Sequence, residues 1–111
     1  SLFVGGSSGL LRFQLTDDGE ARQPGERVAD IYSGVDGLGR DCDGRLYVTS
    51  GSEVVVVDPD GRRVGAIPAP GGEQLTNVAF GGPEGRTLFV TSLGSVPALL
   101  RAELPVTGHP Y

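Results

Sequence analysis

The apolar positions of this chain fall in short runs separated by glycine-rich turns. Leu2-Phe3-Val4, Leu46-Tyr47-Val48 and Leu88-Phe89-Val90 each place a leucine, an aromatic and a valine in a row, and the copies start 44 and 42 residues apart. The second and third copies follow a charged-Gly-Arg turn, Asp43-Gly44-Arg45 and Glu84-Gly85-Arg86. Both are followed by Thr-Ser. A period of about 40–45 residues, built from short strands and glycine turns, predicts an all-β chain of propeller blades, each a four-stranded antiparallel sheet.

The strands follow from alternation and from β-branched runs between turns. Strands over 2–5, 10–15 and 27–32 make residues 1–34 an incomplete blade without its innermost strand. Strands over 36–42, 45–49, 53–58 and 62–67 make residues 35–70 a complete blade. Its third strand carries the run Val54–Val57, and β-branched residues favour strands. The turn Asp58-Pro59-Asp60-Gly61 suits a tight reversal, since proline presets φ and glycine accepts a positive one. Strands over 76–80, 87–91 and 98–104 make residues 71–111 an incomplete last blade. The whole is about two and a half blades of a ring that closes with about 4–8. The first residues carry no basic region and no long apolar segment, so no signal peptide is predicted, and the chain reads as starting inside a strand.

Composition narrows the function classes. Nine basic residues against fourteen acidic ones give a net charge of −5. With no Lys/Arg run, a nucleic-acid partner is not expected. The acidic balance and the lack of a long apolar run argue against a membrane partner. A cytoplasmic setting is the expectation. Cys42 is the single cysteine, which excludes an intramolecular disulfide. It falls where an apolar strand residue is expected and reads as a buried structural thiol. His109 lies near the end between Gly108 and Pro110 and reads as a solvated tail residue.

The inner strands of a propeller line its central channel, and their first residues converge at one mouth. Counting back from the Leu-aromatic-Val motifs, Asp36 and Asn77 hold matching places in successive blades if the third unit has a one-residue insertion at Thr87. They read either as oxygen donors at the mouth, suited to a hard cation such as Ca²⁺, or as turn residues at the strand entrance.

Two segments then resemble a known family. Val35-Asp36-Gly37-Leu38 with Asp41-Cys42-Asp43-Gly44-Arg45-Leu46-Tyr47-Val48, and Leu75 through Thr91 with its Phe80-Gly81-Gly82-Pro83 block, are similar to segments of the SMP-30/gluconolactonase/LRE-like family. The ending Gly108-His109-Pro110-Tyr111 resembles the family's C-terminus. The resemblance implies a six-bladed propeller, of which this chain is the C-terminal portion. It also implies a divalent cation near the channel mouth, Ca²⁺ first and Zn²⁺, Mg²⁺ or Mn²⁺ as alternatives. The implied activity is hydrolysis of sugar-acid lactones or small esters. Asp36 matches a family metal ligand and is also the candidate catalytic base. The remaining ligands, a glutamate and asparagines of earlier blades, have no counterpart in these residues. Asn77 matches no family ligand and is carried as pocket lining. Val35 stands where the family has proline, and Gly39-Arg40 where it has a small apolar pair. Arg40 reads either as channel lining, pairing with Asp41 or Asp43, or as pointing into a gap between blades.

With one carboxylate for a cation that takes six to eight oxygens, the 111 residues alone are expected to bind metal weakly and to be inactive. Two other readings stay open. One is a non-catalytic propeller that serves as a binding module. The other is a self-assembling piece, forming a homo-oligomer or pairing with absent blades through exposed strand edges.

Overall fold

The structure, a computed structural model, describes residues 1–31 and 34–110. It contains three antiparallel sheets. The first is β1 (Leu2–Gly6), β2 (Gly9–Phe13) and β3 (Glu26–Arg27), in that order. The second, in order, is β4 (Val35–Arg40), β5 (Leu46–Ser50), β6 (Glu53–Val57) and β7 (Arg63–Pro68). A one-turn 3₁₀ segment, Pro70–Gly72, leads to the third sheet. Its strands are β8 (Gln74–Gly81), β9 (Thr87–Leu93) and β10 (Ala98–Glu103), with β9 in the middle. No helix of the described residues is long and apolar enough to cross a membrane.

The Leu-aromatic-Val triplet organises the packing. Successive strand residues face opposite sides of a sheet. Leu46 and Val48 therefore join Leu10, Val28, Ile31 and Val55 in a core between the first and second sheets, with Phe3 packed against it. Tyr47 turns the other way and joins Val54, Leu75, Val78, Leu88 and Val90 between the second and third sheets. Thus the second and third triplets send their leucine and valine toward the preceding sheet, and the first and second send their aromatic toward the next. Burying each such side chain contributes about 1.5–3 kcal/mol. Tyr47 also meets Phe80 edge to face, with ring centroids 5.2 Å apart and planes at 85°.

Turns close the strands as their glycines permit. Gly61 has φ +86, and its N–H donates to the Asp58 carbonyl at 2.9 Å. Asp58 Oδ1 in turn accepts from the Arg62 N–H at 2.9 Å.

Several boundaries differ from the sequence reading. Strand character over 27–32 stops at Arg27, because Ala29 and Asp30 take left-handed φ values of 57 and 51. That bend drops Val28 and Ile31 into the core. Tyr32, the last residue of the expected strand, lies outside the described residues, as does Tyr111. β4 ends at Arg40 rather than at residue 42. Asp41-Cys42-Asp43-Gly44 is therefore turn, and Cys42 is exposed rather than a buried thiol. Its sulfur accepts a hydrogen bond from Thr107 Oγ1 at 3.0 Å.

The C-terminal segment is held rather than free. The Cys42 N–H donates to the Thr107 carbonyl at 2.9 Å, the His109 N–H to the Arg40 carbonyl at 2.8 Å, and the Gly108 N–H to the Gly85 carbonyl at 2.9 Å. A side chain at Gly108 would collide with Phe80. The strap thereby ties the β4–β5 turn to the β8–β9 turn. The His109 ring is exposed, as a solvated residue would be.

Beneath that strap lies a buried charge. Asp41 is 0% exposed. Its Oδ1 accepts from the Asp43 and Arg45 N–H groups, both at 2.9 Å. Its Oδ2 accepts from Arg45 Nη1 at 3.1 Å and from the Tyr47 hydroxyl at 3.0 Å. Burial alone would raise the carboxyl's pKa, but these hydrogen bonds, from Arg45 first, hold it below the usual range. Burial, and donation to Asp41, push the Tyr47 hydroxyl up to about 12.

Candidate functional site

β4 and β8 are the innermost strands of their sheets and lie side by side. Glycine on β4 sets how close they come. A Cβ on Gly37 would fall on Asn77, within 2.5 Å of its Cα, and 2.9 Å from the Thr76 carbonyl oxygen. A Cβ on Gly39 would meet Val78 at 3.2 Å. Only glycine at 37 lets Asn77 occupy its place, so Gly37 is what brings the entrances of the two inner strands together.

Each entrance carries a bulge. Val35 pairs with Ser50 and Leu38 with Val48, so β4 spends one residue more than β5 over that span. Leu75 pairs with Ser92 and Asn77 with Thr91, an additional residue at the matching point of β8. A bulge breaks the in-out alternation and re-aims the side chain it frees. Asp36 is exposed between buried Val35 and buried Gly37. Its carboxylate has no hydrogen bond or ion pair among the described residues. Asn77 is exposed as well. Its Oδ1 accepts from the Val78 N–H at 2.9 Å, which orients the amide and occupies one lone pair of the oxygen.

The threonine after the second triplet holds the β4 bulge. Thr49 is fully buried. Its hydroxyl accepts from the Gly37 N–H at 2.7 Å and donates to the Thr76 carbonyl of the next sheet at 3.2 Å. In the third sheet Thr91 is exposed, and its Oγ1 lies 2.7 Å from Thr76 Oγ1. Buried Ser92 adds a bond from its hydroxyl to Glu73 at 3.0 Å.

A model of the SMP-30/gluconolactonase/LRE-like region matches residues 7–94. This chain belongs to that family. Among solved structures, one of a candidate gluconolactonase is 32% identical, with a TM-score of 0.75 over 94% of this chain and 34% of that chain. A luciferin-regenerating enzyme, 21% identical, shares the fold with a TM-score of 0.76 over 95% of this chain and 41% of its own. This chain thus spans less than half the length of either. No curated protein sequence matches it. The three sheets are blades of the family's propeller.

Asp36 and Asn77 sit at neighbouring strand entrances, but their places are not equivalent. By register Asp36 corresponds to Thr76 and Gly37 to Asn77. The reason is the turn. Arg40 pairs with Leu46 and Phe80 with Leu88, so the β8–β9 connection is longer by two residues rather than one. Arg40 stands apart from both. It is at the far end of β4, about 13 Å from Asp36 along a strand, and borders a groove between the first two sheets with Phe3, Arg12 and Pro59. It therefore does not line a pocket shared with Asp36 and Asn77. Nor does it pair with Asp41 or Asp43, whose partner is Arg45. Among the described residues no three His, Cys, Asp or Glu side chains come together in a group that holds a metal ion.

The positioning residues Gly37, Thr49 and Thr76 were not singled out from sequence. The repeated Thr-Ser after the triplet was their signal. Its meaning lay in a contact between blades, which no single blade's pattern displays.

Proposed function

We propose that this chain supplies one side of a lactonase-like hydrolytic centre at the channel mouth, with Asp36 as its working carboxylate. The substrate class is a sugar-acid lactone or small ester. The observation that carries the reading is the bulge. It leaves one carboxylate exposed and without a partner among the described residues at the entrance of an inner strand, on backbone fixed by buried Thr49. The name of the 32% identical structure, a candidate gluconolactonase, points to the same chemistry.

Asp36 fits as one ligand of a divalent cation, Ca²⁺ in the first instance, with the other oxygens coming from outside these residues. When bound, such a cation polarises a carbonyl and acidifies water. Asp36 accepts the proton of the attacking water. The water oxygen bonds to the carbonyl carbon, the ring ester C–O bond breaks and Asp36 returns the proton to the departing alkoxide oxygen, so the product is a hydroxy acid. Asn77, whose Nδ2 donors have no partner among the described residues, hydrogen-bonds a substrate oxygen beside it.

Two measurements test this. Calorimetric titration with CaCl₂ is expected to give weak binding that Asp36→Ala abolishes. Any hydrolysis of an aldonolactone is expected to fall to background in the same variant. Binding and turnover unaltered by Asp36→Ala would remove this residue from the mechanism.

A further inference from the structure

Two arginines of neighbouring sheets converge on one groove, at positions that are apolar in the next junction. Phe3 pairs with Arg12 in the first sheet, and Tyr47 with Val56 in the second. Arg40 pairs with Leu46 in the second sheet, and Phe80 with Leu88 in the third. Arg12 thus stands where the next blade has Val56, and Arg40 where the next has Phe80. Arg12, Arg40, Ser1, Phe3, Gly44 and Pro59 line a groove of about 200 Å³ between the first two sheets. The turn after β6 runs beside both guanidinium groups. A Cβ on Gly44 would lie 3.6 Å from Arg40 Nη2 and 3.5 Å from Pro59 Cγ, and one on Gly61 would lie 3.8 Å from Arg12 Nη1. The matching groove between the second and third sheets has Arg45, Tyr47, Val56 and Leu104 where this one has Ser1, Phe3, Arg12 and Pro59. There the turn that leads into the triplet contributes Asp43 to the rim, and a cavity of about 570 Å³ stays open beside it. A turn at that place borders such a groove without filling it.

The positive charge in the groove exceeds what the protein supplies to balance it. Arg12 Nη2 donates to Glu26 at 2.8 Å, but the Glu26 side chain is 66% exposed. Arg12 Nε is buried and has no acceptor, a rare state for a buried donor. Arg40 has no hydrogen bond or ion pair among the described residues. Two like charges on one groove repel unless an opposite charge lies near, and the chain as a whole is acidic, with a net charge of −5. We propose that this groove binds a compact oxyanion, the phosphate or carboxylate group of a small molecule, between Arg12 and Arg40. Arg12 donates through Nη1, which has no acceptor among the described residues, and Arg40 through its unpaired guanidinium. Charge-assisted bonds of this kind are the strong ones, and the planar fork of arginine matches both oxyanions. Phe3 and Pro59 give the remainder of the ligand an apolar wall. The groove lies at the end of β4 away from Asp36, and the proposal does not rest on the hydrolytic reading.

Nuclear magnetic resonance titration of the isotope-labelled chain tests the inference. Inorganic phosphate and acetate are added in separate experiments, with ionic strength held constant by sodium chloride. The Arg12 and Arg40 Nε–H signals are expected to shift along a saturating curve. Saturation by phosphate alone assigns a phosphate group, and saturation by acetate alone assigns a carboxylate. Arg40→Gln is expected to weaken binding about tenfold, the loss of one charged hydrogen-bonding partner. Arg40 is exposed at the end of its strand, so circular dichroism should retain the strand spectrum. Arg40→Lys, which keeps the charge, is expected to recover part of the affinity. Arg101→Gln, exposed on β10 of the third sheet, is expected to bind as wild type does. Shifts that rise linearly with both anions overturn the inference, as does saturation that Arg40→Gln leaves unaltered.

Discussion

The Asp41→Ala substitution tests whether a single buried carboxylate fastens the turn of the middle blade. Asp41 is fully buried and accepts hydrogen bonds from the Asp43 N–H, the Arg45 N–H, the Arg45 guanidinium and the Tyr47 hydroxyl. Arg45 is 39% exposed at its side chain and keeps Asp43 as a partner at 3.1 Å, so its guanidinium loses little. The two N–H groups and the buried hydroxyl lose their acceptor. At about 1 kcal/mol each, the loss is about 3 kcal/mol, within the range for breaking a buried charged group's network. For a chain of this size that lowers Tm by about 12 °C. The effect has a pH signature. The folded-state pKa of Asp41 lies below its ordinary 3.8. The stabilisation is therefore complete above that value and is lost as pH falls through the folded-state pKa. Tyr47 behaves in the opposite sense. Its pKa is raised from 10.0 to about 12, so its contribution is complete below 10.0 and is lost as pH rises toward 12. Thermal melts of wild type, Asp41→Ala and Tyr47→Phe from acid to alkaline pH supply the assay. The gap between wild type and Asp41→Ala should narrow below the ordinary carboxylate pKa. A gap of only a few degrees at neutral pH, or one that stays constant into strong acid, would refute the account.

Two further outcomes follow from the same geometry. Thr49→Val removes the hydroxyl that serves both the Gly37 N–H and the Thr76 carbonyl; urea denaturation should show a loss of about 1–3 kcal/mol, and an unchanged midpoint would deny that this bond holds the bulge. Cys42, exposed in a turn, should react with an aromatic disulfide reagent in the folded state, whereas reaction only on addition of denaturant would return it to the core.

Much of the fold was legible because one local constraint is written three times. A leucine and a valine two residues apart must share a face, and the aromatic between them must take the other. The triplet therefore specified strands, blades and the direction of stacking. What alternation cannot carry is an irregularity. The β8–β9 connection is two residues longer than the β4–β5 one, so counting back from Leu88 with a one-residue insertion aligned Asn77 with Asp36, when the register aligns Thr76 with it. The same blindness put Cys42 inside a strand that ends at Arg40. It also left the strap from Leu104 to His109 unseen, because its partners, the Arg40 and Gly85 carbonyls, are backbone groups of distant turns. The candidate site shows the limit most plainly. Asp36 was found from its own strand and from resemblance. Its neighbour Asn77 is beside it only because Gly37 has no side chain, and both strands hold their places because Thr49 bonds across two sheets. The carboxylate belongs to one blade, but its surroundings are a property of the junction between two. A substitution at Thr49 or Gly37, neither of which bears a charge, should therefore disturb the site as surely as one at Asp36.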